Sequence, residues 1–492
     1  MKKILVTLLC FCSIFVLFGC KEKKEDLSIL GENKTNYEIE INLDVENKHA
    51  IVKQTIDYVN ETDSILKILK LNLYPQFFEQ GATHNIISST KQANCYPNGM
   101  SYAEFDVDRV MVDGKDIGVK YSGEYDELLI VDIGKSLMPN ERVDLTFEYN
   151  FKIPNCNHRF GYGDNTINLA NFYPIMCVYE NDEFSTNVYS PNGDPFYSDV
   201  SNYSVSVSLP NEYIVASTGE KSEEKPTEKG KIVSYKANMV RDFAMVISNK
   251  FNIASSKVGN TNIFYYYFND LKAEDNLKCG VDSIKTFSNL FGTYPYNTYV
   301  IVQTDFVHGG MEYPNLVMVS SSITNLDDYK NVIVHETAHQ WWYGLVGNDE
   351  MRYPWLDEAL TEFSTVLFYD HNQGYNYEHA KMVNTAKDNY TLFLSVYQDV
   401  LGKIDTSMRG CDKYSTEPEY VYCIYIKGVL MFDSLYNLVG SKNFINSLKD
   451  YFETYKFKNA IPENLISCFE SNCNSNFDGF FSSWLNGKVV IR

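Results

Sequence analysis

His335-Glu336-Thr337-Ala338-His339, with eighteen residues between it and the glutamate of Trp355-Leu356-Asp357-Glu358, opens the stretch on which the reading of this 492-residue chain turns. Two histidines four apart on a helix leave the same face about one turn apart, close enough to share a metal ion. The glutamate between them can reach metal-bound water, and a later helix can add a carboxylate. Three protein ligands with a fourth position open characterise a catalytic zinc, whereas a structural zinc is closed by four. His335, His339 and Glu358 are therefore the candidate ligands of one Zn2+, and Glu336 is the candidate base. The plainer alternative is a surface helix with chance histidines. Against it, the whole chain holds only eight histidines, and Glu358 opens a run, Ala359 to Tyr369, that reads as a second buried helix.

Outward from this stretch the pattern is helical. Asn325 or Asp327 is available to cap a metal helix running from about Asp327 to Tyr343, with Gly344 as its stop. Leu277, Val281, Ile284, Phe287, Leu290 and Phe291 follow helical spacing ahead of Gly292, and short strands are predicted at Tyr299 to Val302 and Leu316 to Val319. Beyond the metal helix, helical patterns continue to Trp484. Before about Lys250 the period is two. Tyr37, Ile39, Ile41 and Leu43 alternate with Glu38, Glu40 and Asn42, and Val143 to Tyr149 and Tyr203 to Leu209 behave alike. Turn clusters such as Pro191-Asn192-Gly193-Asp194-Pro195 punctuate these strands, and charged Gly219 to Gly230 reads as a solvated loop. The expected class is α+β: a mostly antiparallel β domain over 36–250, then a mixed, mainly helical catalytic domain over 251–492.

The first twenty residues stand apart as a signal peptide. Met1-Lys2-Lys3 precedes fifteen apolar residues, Ile4 to Phe18, too few to span a bilayer comfortably. Leu17-Phe18-Gly19-Cys20 resembles a bacterial lipobox, which makes Cys20 the candidate lipidation site and 21–35 a charged tether. Phe18 is bulky for that motif, so plain secretion is the alternative. The expectation is an exported lipoprotein on the outer face of the cell membrane. A net charge of −21 and the lack of any Lys/Arg cluster exclude nucleic acid as a partner. The eight cysteines after Cys20 show no Cys-x-x-Cys pair, and most stand in apolar surroundings that suit free thiols.

Taken with three further segments, the metal stretch resembles the aminopeptidase N family of zinc metallopeptidases, gluzincins with a thermolysin-like catalytic domain. His308-Gly309-Gly310-Met311-Glu312-Tyr313-Pro314 is similar to the family's Gly-x-Met-Glu-Asn motif. Tyr425-Ile426-Lys427-Gly428 is similar to its Tyr-x-Lys-Gly, and Asn72-Leu73-Tyr74-Pro75 to a segment of its saddle-shaped N-terminal sheet. The resemblance implies peptide substrates, with catalytic Glu336 as general base and catalytic Tyr425 donating to the oxyanion. Glu312 would grip the substrate's free amine while Gly309, Gly310 and Met311 line an extended peptide. Two departures bear on the exopeptidase character. Tyr313 replaces the family's asparagine. Where the N-terminal domain normally supplies Gln or Glu, this chain offers Asn168 or Asn171. The chain also ends soon after Trp484, without the helical C-terminal domain of larger relatives, which implies a more open cleft. A zinc endopeptidase or oligopeptidase is the alternative within enzymes, and a non-catalytic peptide-binding lipoprotein the alternative outside them. Glu362, one turn beyond Glu358, is read as a solvated position, with orientation of a zinc histidine as the alternative, and His49, His84, His158, His371 and His379 are read as surface residues.

Overall fold

The alternation seen around Tyr37 becomes a sheet edge by edge. The computed structural model describes residues 25–82, 86–402, 404–489 and 491; Cys20 and His84 lie outside them. Strands β1 (Asn36–Asp44) and β2 (His49–Val59) pair antiparallel, burying Tyr37, Ile39, Ile41 and Leu43 while Glu38 and Glu40 face water. Six more strands join them: β3 (Glu104–Val112), β4 (Lys115–Asp116), β5 (Arg142–Lys152), β6 (Ser201–Leu209), β7 (Glu220–Thr227) and β8 (Gly230–Val240). The spatial order is β7-β8-β6-β1-β2-β5-β3-β4, and β1 with β6 is a parallel pair in an otherwise antiparallel sheet. Smaller four-stranded sheets, one containing Leu66–Asn72 and one containing Ile167–Ala170, cover its apolar face.

The stretch Gly219 to Gly230 corrects the loop expectation, because most of it is strand β7. All eight of its residues are exposed, and it pairs only with β8. No side chain of β7 enters the core, so no apolar alternation betrays it; backbone pairing alone makes it a strand. Its charges also suit an edge, where they discourage a further strand from adding.

The second half begins with a five-stranded sheet: β9 (Asn252–Val258), β10 (Thr261–Tyr267), β11 (Thr298–Thr304), β12 (Gly310–Met311) and β13 (Leu316–Ser320), in the order β9-β10-β11-β13-β12. Helix α1 (Ala273–Leu290) is the crossover between parallel β10 and β11. Helix α2 (Leu326–Ala338) lies beside it, its first turn capped by the Asn325 carboxamide accepting from the Asp327 and Asp328 amides at 2.9 and 3.1 Å. It stops at Ala338 rather than at Tyr343. From His339 onward the carbonyls bond five residues ahead, His339 O to Gly344 N and Gln340 O to Leu345 N, which widens the turn and buries Trp341, Trp342 and Tyr343. Helices α3 (Leu360–His371), α4 (His379–Leu401) and α5 (Lys427–Val439) pack behind.

Arg241, at the end of β8 and 2% exposed, ties the two halves together. It donates to Tyr343 O at 2.7 Å and Ser198 O at 2.9 Å, and to the Lys458 carbonyl and Asn459 side chain. A buried guanidinium is tolerated because five carbonyl-type acceptors surround it. The eight later cysteines stand as free thiols, seven of them buried. Among the described residues no helix is long and apolar enough to cross a membrane.

Two histidines read as surface residues are not. His158 is fully buried against Phe78. His379 sits between two carboxylates, with Asp370 2.6 Å from Nδ1 and Asp433 2.7 Å from Nε2, linking α4 to α3 and α5. These bonds, chiefly that to Asp433, raise its pKa from 6.5 to about 9. A folded value above the unfolded one contributes stability that is complete below about pH 6.5 and is lost as pH rises through about 9. His379→Gln is therefore expected to lower stability by about 1–3 kcal/mol at pH 6 and by little near pH 10. Denaturant unfolding of both proteins at the two pH values checks this; an equal loss at both would rule out an imidazolium.

Candidate metal centre and substrate cleft

Helix α2 presents His335 one turn before His339, and the chain returns Glu358 across them. His335 Nε2 and His339 Nε2 are 3.1 Å apart, and each lies 3.3 Å from Glu358 Oε2. Tetrahedral ligands 2.0–2.1 Å from a zinc ion stand roughly 3.3–3.4 Å from one another, so this triangle fits that ion. The donor set of two imidazoles and one carboxylate is also a zinc set, with room for a fourth ligand. Although burial alone raises it, the two imidazoles hold the Glu358 carboxyl well below the usual range.

Glu358 gets into position through an irregular turn. Trp355–Ala359 forms one wide π-helical turn at the head of α3, and Tyr422–Ile426 forms another at the head of α5. Such turns cluster at functional sites because they swing side chains off the regular helical face. The two meet where Gly428 faces Ala359, so closely that a β-carbon at 428 would lie 2.3 Å from that of Ala359. Lys427, wholly buried, donates to Thr406 O and Trp484 O at 2.6 and 2.7 Å, and burial lowers its pKa to about 8. Lys427 and Gly428 thus have architectural tasks that aim Tyr425, whose hydroxyl hydrogen-bonds Glu358 Oε1 and whose ring stacks on His335 at 6.2 Å.

A second tier of acids stands behind the ligands. Asp357 accepts from His339 Nδ1 at 2.7 Å, and the Trp342 carbonyl stands 3.0 Å from the same nitrogen, so Nε2 is the nitrogen free for the metal. Only its neighbour Glu358 was singled out in the sequence, since an acid at i−1 on a regular helix would point elsewhere; the π turn brings both inward. Glu362 corrects its solvated reading: its Oε1 is 3.4 Å from His335 Nδ1.

Strand β12 forms one wall. Gly309, Gly310 and Glu312 line the cleft, whereas Met311 is 1% exposed and turns into the core, because successive residues of a strand face opposite sides. A β-carbon on Gly310 would come within 2.2 Å of Glu336 Oε1, so only glycine lets the strand run against that carboxylate. Burial pushes Glu336 up to about 7. Glu312, 3% exposed, has one carboxylate oxygen without a hydrogen-bond partner, and burial raises its pKa well above the usual value.

The opposite wall comes from the β half, but not from the predicted asparagines. Asn168 is consumed by His158 O, Asp305 O and Thr304 Oγ1, and Asn171 faces Asp242. Both belong to the core around Ile167–Ala170. Tyr313 is likewise fully buried, beside Phe196. Instead Asp194 lines the cleft, paired with buried Arg159, and offers an oxygen within 4.8 Å of Glu312. Its sequence signal was present, since it lies in Pro191-Asn192-Gly193-Asp194-Pro195, but that segment spoke only of a turn.

Comparison with known proteins agrees with this geometry. Residues 276–484 match the Peptidase family M1 domain. Leucine aminopeptidase 2 of Emericella nidulans is 29% identical over 187 residues, 36% of this chain and 28% of that protein. Aminopeptidase B of Rattus norvegicus is 27% identical over 230 residues, 41% of this chain and 33% of that protein. The matched stretch thus spans about a third of those relatives' length. An M1 zinc metallopeptidase from Deinococcus radiodurans shares the fold over 94% of this chain and 96% of its own, with a TM-score of 0.65 at 14% identity. By the domain match, the two-part fold and the His335–His339–Glu358 triangle inside the matched stretch, residues 276–484 are a Peptidase family M1 domain of the zinc metallopeptidase type.

Proposed function

We propose that this protein is an aminopeptidase that removes N-terminal residues from peptides, using one zinc ion held by His335, His339 and Glu358. The observation that carries the reading is the Glu312 carboxylate. It is buried beside the metal ligands with an oxygen unpaired and Asp194 next to it. A terminal ammonium set against that carboxylate would supply the partner that burial leaves it without, which no internal peptide bond can do. The M1 metallopeptidase of similar fold has been seen bound to a Tyr-Ser-Ala substrate, a short peptide of the kind this cleft would take.

Zinc, when bound, supplies a Lewis acid that polarises the scissile carbonyl and acidifies water. Glu336 takes the water's proton and returns it to the leaving amine; a carboxyl raised toward neutrality by burial suits both directions. Gly310 keeps that carboxylate in place and leaves the β12 backbone clear to pair with an extended peptide. Tyr425, already beside Glu358, turns its hydroxyl to the developing oxyanion. The intact set of groups favours turnover over simple peptide capture.

Outside the described residues, we propose from the sequence alone that Cys20 becomes the lipidated first residue and holds the enzyme on the outer face of the membrane. Cys20→Ser should move the protein out of the membrane fraction; unchanged detergent partitioning would refute the anchor.

Metal analysis should find one zinc per chain, lost in His335→Ala and retained in Glu336→Gln, which should show no turnover. Tyr425→Phe should keep zinc and lower kcat about a hundredfold. An effect of Tyr425→Phe on KM alone would make it a cleft-lining residue.

The exopeptidase character has its own test. Peptides with free amines should be shortened one residue at a time, and N-acetylated versions cut at least about tenfold more slowly, since acetylation leaves Glu312 without a cation. Glu312→Ala should erase most of that difference while zinc stays bound. Internal cuts in blocked peptides at comparable rates would establish an endopeptidase instead.

A further inference from the structure

The carboxamide of Asn331 carries a buried polar atom that the proposed chemistry leaves unused. Asn331 lies inside α2, one turn before His335, and lines the cleft. Its Oδ1 is enclosed, and among the described residues no donor meets it. Asparagine is a poor helix former, and α2 takes its cap from Asn325, so helix formation gives no reason for this residue. A buried acceptor without a donor is costly, and one on a cleft wall calls for a donor that arrives from outside.

The direction of the bound peptide decides which group arrives. Side-chain atoms of Glu312, His339 and Asp357 lie within 4.8 Å of one another, so the seat proposed for the terminal ammonium is at the C-terminal end of α2. Gly310 runs against Glu336, and a β-carbon on Gly309 would lie 3.6 Å from Val332 Cγ2. Passing from Glu312 through Gly310 to Gly309 therefore descends α2 from His339 to Val332. A peptide with its amine on Glu312 and its first bond at Glu336 continues toward Val332 and Asn331, and that end of the cleft receives the departing fragment. An extended chain paired along β12 turns alternate backbone groups away from the strand, where they need partners of their own. A carboxamide matches a peptide group in both senses, its oxygen accepting the N–H and its nitrogen donating to the C=O.

We infer that Asn331 binds the first peptide group of the departing fragment, the bond between the second and third residues of the substrate. Resting on the aminopeptidase reading, this subsite narrows the substrate class to tripeptides and longer chains, because dipeptides and aminoacyl anilides lack that bond. Asn331 sets specificity and takes no part in the chemical step.

The zinc-loaded enzyme is assayed for leucine release from Leu-Ala-Ala and from Leu-Ala-lactate, in which an ester oxygen replaces the N–H of the second bond. The amide is expected to exceed the ester at least about tenfold in kcat/KM. Asn331→Ala places a better helix former in α2, so it should fold and hold zinc, and its amide-to-ester ratio should fall to within about twofold of unity. Asn331→Leu, close in shape but without donor or acceptor, is a second variant that should give the same ratio. A purely structural role for Asn331 would change both substrates alike. A wild-type ratio near unity, or an unchanged ratio in a folded, zinc-loaded variant, overturns the subsite and leaves the aminopeptidase reading intact. Equal cleavage of N-acetylated peptides by the wild type overturns that reading and the subsite with it, and is recognised without any Asn331 variant.

Discussion

Three ligand atoms held 3.1–3.3 Å apart in a buried place are the constraint on which the remaining structure depends. One rigid helix can supply two of them by spacing alone, but no single helix can close the triangle with a third. Glu358 has to arrive from another element, and its position must hold to a few tenths of an ångström for zinc to be bound well. The surroundings of the triangle make sense as the means of holding it. The π turn at Trp355–Ala359 swings Glu358 inward, Gly428 lets a second helix press on that turn, and Lys427 anchors the second helix to the C-terminal segment. Asp357 selects the nitrogen with which His339 faces the ion, and Glu362 stands behind His335.

The cleft is a joint product of the two halves. The mainly helical half brings the metal ligands, Glu336 and Tyr425, while the β half brings Asp194 and Arg159. Arg241 keeps these contributions in register by bonding carbonyls on both sides of the junction, including those of the wide turn that follows His339. A break there would disturb the acidic wall relative to the metal ligands without touching either. The negative character of the cleft is local and structural in origin; the chain's overall charge of −21 serves solubility and does not by itself select a substrate.

The β half and the helical half, the two metal-helix histidines, the third ligand and the base could all be read from period and spacing. Such signals survive in a sequence because they repeat along one element: alternation along β1, four residues from His335 to His339, apolar residues beyond Glu358. What was misread lacked such a repeat. Strand β7 has no buried face, so nothing in its side chains announced it. Met311 was placed among the lining residues as part of a motif, yet strand alternation sends it into the core. Asn168 and Asn171 lie in the right region of the chain, but their amides are spent on core hydrogen bonds.

By itself the sequence determined the local terms: which segments pair or coil, and which residue types could ligate a metal and move a proton. Only the tertiary structure decided which acids meet. Asp194, Glu312 and Glu350 come from three separate stretches, and Asp370, His379 and Asp433 from three helices. The reason is physical. A pairwise charge interaction depends on distance and on exclusion of water, and both are set by how distant segments pack rather than by any spacing along the chain.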